Sequence, residues 1–292
     1  MKKFAKLFLV SLLAMGLMVA LVGCGGEPKA SKPAEKAAES KAAESKPADT
    51  TLKTIVIASD TAYAPFEFQD EKTGNYEGFD MDLIRAIADT AGFKVEIKSM
   101  GFDGVIQAVA SKQVDGAISA MTITPERQKM FNFSDPYFDA NQSIAVKANN
   151  DAIKSEADLK GKRIAVQIGT TGSEYAKKIE GTKVKDFNTI DLAFMELKNG
   201  NTDAVVNDFP VTAYFIQKGN PDIKVVSEIK TGEQYGIAFN KDNAEVLAKV
   251  NAALKTLKEN GKYNEIYKKW FGTIINRYLD FPSEDFPIAV CP

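Results

Sequence analysis

The 292-residue chain contains no histidine and only two cysteines, Cys24 and Cys291. The absence of histidine excludes Ser-His-Asp and Cys-His catalysis and every metal site that needs an imidazole ligand. Two cysteines are too few for a disulfide framework or a cysteine-rich metal site. The remaining classes are a binding protein, a structural protein and an enzyme that works with carboxyl groups, and no metal or cofactor is expected.

Neither sign of charge dominates the chain. It carries 37 Lys and Arg residues against 39 Asp and Glu residues, so its formal net charge is only −2. Because there is no basic excess, we expect no nucleic-acid partner. With 45% hydrophobic and 26% charged residues the composition is that of a soluble globular protein, and the length allows one large domain or two ordinary ones.

The first residues are an export signal rather than part of a fold. Lys2, Lys3 and Lys6 precede an uncharged run at residues 7–22, which is too short to span a membrane. The LVGC sequence at residues 21–24 resembles the lipobox of bacterial lipoproteins, which are cut before a cysteine that is then lipidated. We predict a signal peptide over residues 1–23 and a lipidated Cys24; an ordinary signal peptide with an incidental cysteine is the alternative. The product would be exported and anchored by its lipid to the outer face of the cytoplasmic membrane, in the periplasmic space if an outer membrane is present.

Residues 24–51 are predicted to form a disordered linker. Residues 25–50 contain no large apolar side chain, and KAAES occurs twice in succession at residues 36–45. A segment of this composition cannot bury enough apolar surface to offset the entropy lost on ordering. It therefore serves as a spacer between the anchor and the folded body.

From residue 52 onward the chain has the strand–helix alternation of an α/β protein. Residues 54–58 and 93–97 have the composition or the alternation of strands, and apolar residues recur at helical spacing between Phe79 and Ala88. Asp80 and Asp82 stand where a helix N-terminus favours acidic side chains. The pattern predicts mostly parallel sheets flanked by helices.

Two parts of the body are similar to one another. Residues 112–120 parallel residues 199–208, and residues 54–62 parallel residues 163–171, because each segment is an apolar strand that ends in small or polar residues. Ligands of parallel sheets bind beyond the carboxyl ends of the strands. Four loops should therefore converge on one cleft, at Asp60, Ala120, Gln167 and Asp208. Chance similarity between short βα units is the alternative.

The C-terminal part is predicted to return to the first half. Residues 235–239 are strand-like, residues 246–257 form an amphipathic helix that stops at Gly261, and residues 263–270 form a further helix. A first lobe of residues 52–139 and 235–272 and a second lobe of residues 140–234 would then be joined by two crossovers at a hinge. Such lobes can close on a ligand. Residues 273–292 are left as a C-terminal tail.

Five motifs in order resemble the polar amino-acid-binding proteins of bacterial ABC importers, the solute-binding proteins of family 3. The motifs are APFEF at residues 64–68, GFDMDL at 78–83, TITPER at 122–127, FSDPY at 133–137 and YNEIYKKWFG at 263–272. The resemblance implies a two-lobed periplasmic-binding-protein fold of the Venus-flytrap type. It also implies capture of a free L-amino acid by a monomer that delivers it to the membrane subunits of an ABC permease.

The resemblance assigns residues to the backbone groups of the amino acid. Arg127, with Thr122 and the backbone at Ala120, would hold the α-carboxylate, because a guanidinium offers a planar bidentate donor. Thr171 would add hydroxyl and backbone donors at the start of a helix, unless it is an ordinary N-cap. Asp208 would take the α-ammonium, although an N-cap before Pro210 is the alternative.

The side chain of the ligand would meet Asp60, Tyr63, Phe102 and Gln167. Glutamine-binding relatives have Lys at position 167 and His at position 207, where this chain has Gln167 and Asn207. Without that lysine, Asp60 and two aromatic faces suit a guanidinium or ammonium group. Arginine, lysine or another basic amino acid is favoured, with glutamine next; Tyr63 and Phe102 as mere core aromatics are the alternative.

An enzyme of the same fold is the competing function. Some relatives are dehydratases that act on prephenate-like acids with a carboxylic acid as proton donor. The combination of Arg127 and Asp208 suits a zwitterion better than a dicarboxylate, and this favours a binding protein.

Overall fold

The computed structural model describes residues 52–278, with side chains to residue 272. The predicted signal peptide, the predicted lipidation site at Cys24, the predicted linker and Cys291 lie outside the described residues. The described strands are β1 Thr54–Ser59, β2 Ala62–Tyr63, β3 Glu67–Gln69, β4 Tyr76–Glu77, β5 Lys94–Ser99, β6 Gly116–Ala117, β7 Phe131–Phe133, β8 Phe138–Lys147, β9 Arg163–Gln167, β10 Lys183–Phe187, β11 Ala204–Asp208, β12 Ile223–Tyr235 and β13 Ala238–Asn240.

Helices alternate with these strands in both halves of the described chain. The described helices are α1 Phe79–Ala91, α2 Phe102–Ala110, α3 Pro125–Met130, α4 Thr171–Lys178, α5 Ile190–Lys198, α6 Phe209–Gln217, α7 Ala244–Glu259 and α8 Lys262–Tyr278, with a 3₁₀ turn at Glu156–Leu159. The predicted amphipathic helix over residues 246–257 is α7, which buries Val246, Val250, Leu254 and Leu257. The last helix runs further than predicted, since α8 passes Gly272 and ends at Tyr278.

The two large sheets have the same construction. The first sheet has the order β5-β1-β6-β13-β7 and the second has the order β10-β9-β11-β8-β12. In each, the first three strands are parallel, the fourth is antiparallel to its neighbours and the fifth returns to the common direction. The similarity predicted between residues 54–62 and 163–171 is that between β1 and β9, which hold the same place in their sheets. A small sheet of β2, β3 and β4 completes the described strands.

The chain passes between the two large sheets twice. It leaves the first sheet after β7, enters the second at β8, and returns from β12 to β13. The sequence predicted a strand at residues 235–239, whereas β12 continues to Tyr235 and β13 begins only at Ala238. The difference arises because residues 226–234 of β12 have no fully buried side chain, so their sequence lacks a clear apolar alternation.

Aromatic residues of the sequence motifs pack where these crossovers occur. Phe66 lies 4.9 Å from Phe138 and 5.2 Å from Tyr235 between ring centroids. Phe271, on α8, lies 5.2 Å from Phe66 and 5.0 Å from Phe138. All four rings are almost completely buried, so α8 is anchored against the strands that join the sheets.

Candidate functional site

A pocket lies at the carboxyl ends of strands from both large sheets. It encloses about 260 Å³ of empty space, including its open mouth. The residues that line it are Tyr63, Phe102, Ser119, Ala120, Thr122, Arg127, Gln167, Thr170, Thr171 and Asp208. Eight of the ten predicted ligand-binding residues are among them, and the other two, Asp60 and Asn207, lie directly behind the lining. The predicted convergence of strand ends on one cleft is therefore observed.

Arg127 is the only basic residue of the lining. Its guanidinium is buried, donating from Nη1 to the carbonyl of Thr122 at 2.8 Å and from Nη2 to the carbonyl of Gly169 at 3.0 Å. Its Cζ atom also lies 5.3 Å from the centroid of the Phe102 ring. These contacts join residues on opposite sides of the pocket and use two of the five N–H groups, so a bidentate face remains available to an anion.

Asp208 presents a buried carboxylate that accepts hydrogen bonds from neutral side chains of the described part of the chain. It ends β11, receives a hydrogen bond from Gln142 Nε2 at 2.5 Å and accepts a second from the Tyr235 hydroxyl. Burial, assisted by the nearby Glu233 charge, raises the pKa of Asp208 to about 7. Asp208 occupies the N-cap position of α6, but its side chain makes no capping hydrogen bond. The carboxylate is thus directed to the pocket rather than to the helix.

Asp60 forms the opposite acidic end of the site. It is 4% exposed, its backbone N–H donates to Ser119 Oγ at 2.9 Å, and Gln167 Nε2 donates to its carboxylate at 2.5 Å. Burial raises the pKa of Asp60 to about 6, despite the hydrogen bond from Gln167, and the charges of Asp191 and Asp103 act in the same direction. A cation placed beside Asp60 would offset both the free-energy cost of burying its negative charge and the repulsion from the other carboxylates.

The two predicted aromatic residues reach the pocket in different ways. Phe102 begins α2 and lies over Arg127, whereas Tyr63 donates its hydroxyl hydrogen to Asn207 Oδ1 at 2.9 Å. Asn207 is 3% exposed and also donates to the carbonyl of Asp208 at 3.3 Å. It therefore orients Tyr63 from behind the lining.

Thr122 and Thr171 face one another across the pocket. Their hydroxyls donate to the same carboxylate oxygen, Glu233 Oε2, at 2.8 Å and 2.9 Å. The N-cap of α4 is Thr170, whose side chain accepts from the backbone N–H of Ser173 at 3.1 Å. Thr171 is thus the first residue of the helix rather than its cap, which removes the ordinary N-cap interpretation.

A pair of buried carboxyl groups supports the pocket at Ser119 and Ala120. Glu67 accepts from the Ser119 hydroxyl at 3.0 Å, and Asp80 accepts from the backbone N–H of Ala120 and from the Tyr137 hydroxyl, both at 2.8 Å. Burial and the neighbouring charge of Asp80 raise the pKa of Glu67 well above its ordinary value. Burial likewise raises the pKa of Asp80 to about 6, despite the hydrogen bonds from the backbone N–H of Ala120 and the Tyr137 hydroxyl. Ala120 has φ +44°, an unusual value for a residue with a Cβ, and its N–H bond to Asp80 secures it.

Sequence reasoning missed four residues that contribute to the site. Ser119 and Thr170 immediately precede predicted residues, and local turn geometry decides which member of each pair faces the pocket. Gln142 and Glu233 come from β8 and β12, the strands that join the two sheets. A usable signal for Glu233 was its position two residues before the buried Tyr235, since alternate residues of a strand share a face.

The described residues contain no group of three or more His, Cys, Asp and Glu side chains suited to holding a metal ion. Within residues 52–278 there is also no helix with the length and apolar character needed to cross a membrane.

Comparison with known proteins agrees with this architecture. The arginine-binding extracellular protein ArtP of Bacillus subtilis is 35% identical over 273 residues, which cover 91% of this chain and 98% of ArtP. The structure of an ancestral arginine-binding protein bound to arginine is 47% identical with a TM-score of 0.73, covering 76% of this chain and 100% of that one. The arginine-, lysine-, histidine-binding protein ArtJ of Geobacillus stearothermophilus is 44% identical with a TM-score of 0.71, covering 75% and 96%.

The curated relatives are binding proteins of amino-acid transport, not enzymes, so the dehydratase alternative is not favoured and this chain is a substrate-binding protein. Its two-lobed α/β fold is the one expected from the five motifs. The model of the bacterial extracellular solute-binding proteins, family 3, matches residues 55–273, and the chain belongs to that family.

Proposed function

We propose that this protein captures a basic L-amino acid, arginine before lysine, and delivers it to an ABC permease, with glutamine as the next candidate. The preference for a basic ligand rests on Asp60. This carboxylate is buried, and its only side-chain hydrogen-bond partner among the described residues is the neutral Gln167. A buried carboxylate at the side-chain end of the pocket favours a cationic ligand. The names of ArtP and ArtJ support the same choice.

In the proposed complex the two ends of the amino acid meet opposite charges. Arg127 holds the α-carboxylate with its free N–H groups, together with backbone groups at Ala120 and Thr171. Asp208 lies at the α-ammonium, and Asn207 orients Tyr63. The Thr122 hydroxyl, which the motif resemblance assigned to the α-carboxylate, is moved to the α-ammonium because it donates its hydrogen to Glu233. The ligand's cationic side chain extends between Tyr63 and Phe102 toward Asp60 and Gln167.

Capture would proceed by hinge closure. We place the first lobe at residues 52–139 and 235–272 and the second lobe at residues 140–234, with β8 and β12 beside the hinge. A ligand that contacts both lobes binds the closed form more tightly than the open form and shifts the population toward it. The closed monomer then docks to the permease, held near it by a lipid on Cys24 and the linker of residues 24–51 on the outer face of the cytoplasmic membrane.

A thermal-shift panel tests the ligand. The chain from residue 25 to residue 292 is unfolded and refolded to remove carried-over ligand, and each of the twenty amino acids is added at a millimolar concentration. A ligand at about 1,000 times its Kd stabilises the fold by about 4 kcal/mol, which raises the Tm by several degrees. A shift with arginine or lysine and none with glutamine is expected. A shift with glutamine alone would contradict the assignment of Asp60, and no shift at all would contradict amino-acid binding.

A further inference from the structure

Glu233 makes the contacts of a site residue although no motif identifies it. It lies on β12 near the point where the chain returns to the first sheet. Its Oε2 atom accepts hydrogen bonds from Thr122 at 2.8 Å and from Thr171 at 2.9 Å. Thr122 follows β6 of the first sheet and Thr171 follows β9 of the second, so one carboxylate oxygen connects both sides of the pocket.

These contacts determine which way the two hydroxyl groups act. A threonine hydroxyl has one hydrogen to donate and two lone pairs that accept. In Thr122 and in Thr171 the hydrogen is directed to Glu233, and one lone pair of Thr171 Oγ1 accepts from Gln142 Nε2 at 3.3 Å. Only lone pairs are then left for the pocket, and lone pairs repel a carboxylate but accept hydrogen bonds from an ammonium group. Among the ligand's charged groups, the hydroxyls are therefore suited to the α-ammonium rather than to the α-carboxylate.

The same network includes Asp208. Gln142 Nε2 donates to Asp208 Oδ1 at 2.5 Å and lies 3.3 Å from both carboxylate oxygens of Glu233. Asp208 and the two threonine hydroxyls consequently form one cluster of acceptors. Glu233 adds a second negative charge beside this cluster, and only Arg127 supplies a positive charge in the lining.

We propose that Glu233 is a positioning residue for the ligand's α-ammonium group: by accepting both threonine hydrogens, it turns Thr122 and Thr171 into hydrogen-bond acceptors beside Asp208. The assignment rests on the proposed function, because it needs an amino-acid ligand. Under this assignment, Glu233 on β12 contributes to recognition of the α-ammonium group, which all free amino acids share.

Three variants test the assignment by isothermal titration with arginine and lysine. E233M removes the acceptor at similar volume, E233Q keeps an acceptor oxygen, and E228M is the matched control. Glu228 lies on the same strand with similar burial, but it pairs with Asn141 at 2.8 Å outside the pocket lining. We expect E233M to weaken binding at least about tenfold, E233Q to recover most of that loss, and E228M to bind like the wild type. The loss should be the same factor for each amino acid that binds, and the Tm of each ligand-free variant shows that it is folded.

The outcomes separate this assignment from the proposed function. A folded E233M that binds arginine like the wild type would overturn the role of Glu233 alone. E233Q as weak as E233M would overturn hydroxyl positioning, and a loss confined to one ligand side chain would overturn recognition of the shared α-ammonium. A wild-type protein that binds no amino acid would overturn the proposed function itself and this assignment with it.

Discussion

Binding of a basic amino acid should release protons from the pocket and should strengthen as the pH rises from 6 to 8. The two carboxyl groups proposed to meet the ligand's cations are Asp208, with a pKa of about 7, and Asp60, with a pKa of about 6. Both values are raised chiefly by burial, so in the ligand-free closed form Asp208 is about half protonated at pH 7 and Asp60 is about half protonated at pH 6. A cation placed beside each carboxylate favours its ionised form, and the proton leaves.

The size of the effect follows from these two values. If the ligand-free protein is closed and both groups become fully ionised in the complex, arginine binding releases about 1.4 protons at pH 6, about 0.6 at pH 7 and about 0.1 at pH 8. The association constant then rises about 20-fold between pH 6 and pH 8. Glutamine has no cationic side chain, so it should leave the proton on Asp60 and release only about 0.9 protons at pH 6.

Isothermal titration in buffers of different ionisation enthalpy measures the released protons directly. The observed binding enthalpy should fall linearly as the buffer's ionisation enthalpy rises, with a negative slope whose magnitude equals the number of protons released. D60N provides the control, because it should lower the magnitude of the slope for arginine at pH 6 to the value that Asp208 alone supplies. A slope of zero at pH 6, or an affinity that falls as the pH rises, would refute the reasoning.

Three further predictions concern single residues. R127K should weaken arginine binding at least about 100-fold in titration calorimetry, because an ammonium cannot replace the planar fork toward a carboxylate; unchanged affinity would contradict the clamp. Y235F removes a donor that lowers the pKa of Asp208, so the rise of affinity with pH should move to higher pH, and an unchanged profile would exclude this coupling. Glu67 should contribute up to about 1.4 kcal/mol per pH unit to a fall of wild-type stability above pH 5, because folded Glu67 keeps a proton that the unfolded chain loses. In urea unfolding the stability of E67Q should therefore fall less steeply with pH than that of the wild type, and parallel profiles would argue against a protonated Glu67.

The sequence predicted the parts of the fold that have strong local patterns. Apolar residues at helical spacing predict the helix over residues 246–257. Similar strand–loop sequences predict that β1 and β9 are equivalent. The joining strand β12 was mostly missed, because its side chains between residues 226 and 234 are neither consistently buried nor consistently exposed. This segment is a strand because it pairs with β8. Since that pairing is long-range, the local sequence pattern does not predict it.

The site was predictable in its members but not in its hydrogen bonds. Motif positions located eight of the ten lining residues, yet the sequence could not show that Glu233 takes the hydrogens of Thr122 and Thr171. Asp80 illustrates the same limit. Its place in the first turn of α1 suggested a favourable helix-end charge, whereas the structure buries it completely against Ala120 and Tyr137. Its spacing of four residues from Ile84 and seven from Ile87 did place it on the apolar face.

Burial and charge together explain how ligand capture could be coupled to closure. Asp60 and Asp208 stand at the ends of strands from opposite sheets, and in the closed pocket neither is paired with a basic side chain among the described residues. An open cleft would hydrate both carboxylates, so closing without a ligand costs either their dehydration or their protonation. A basic amino acid supplies one cation to each, and this removes the cost only in the closed form. The ligand therefore binds the closed form preferentially, which is the condition for shifting the population toward it.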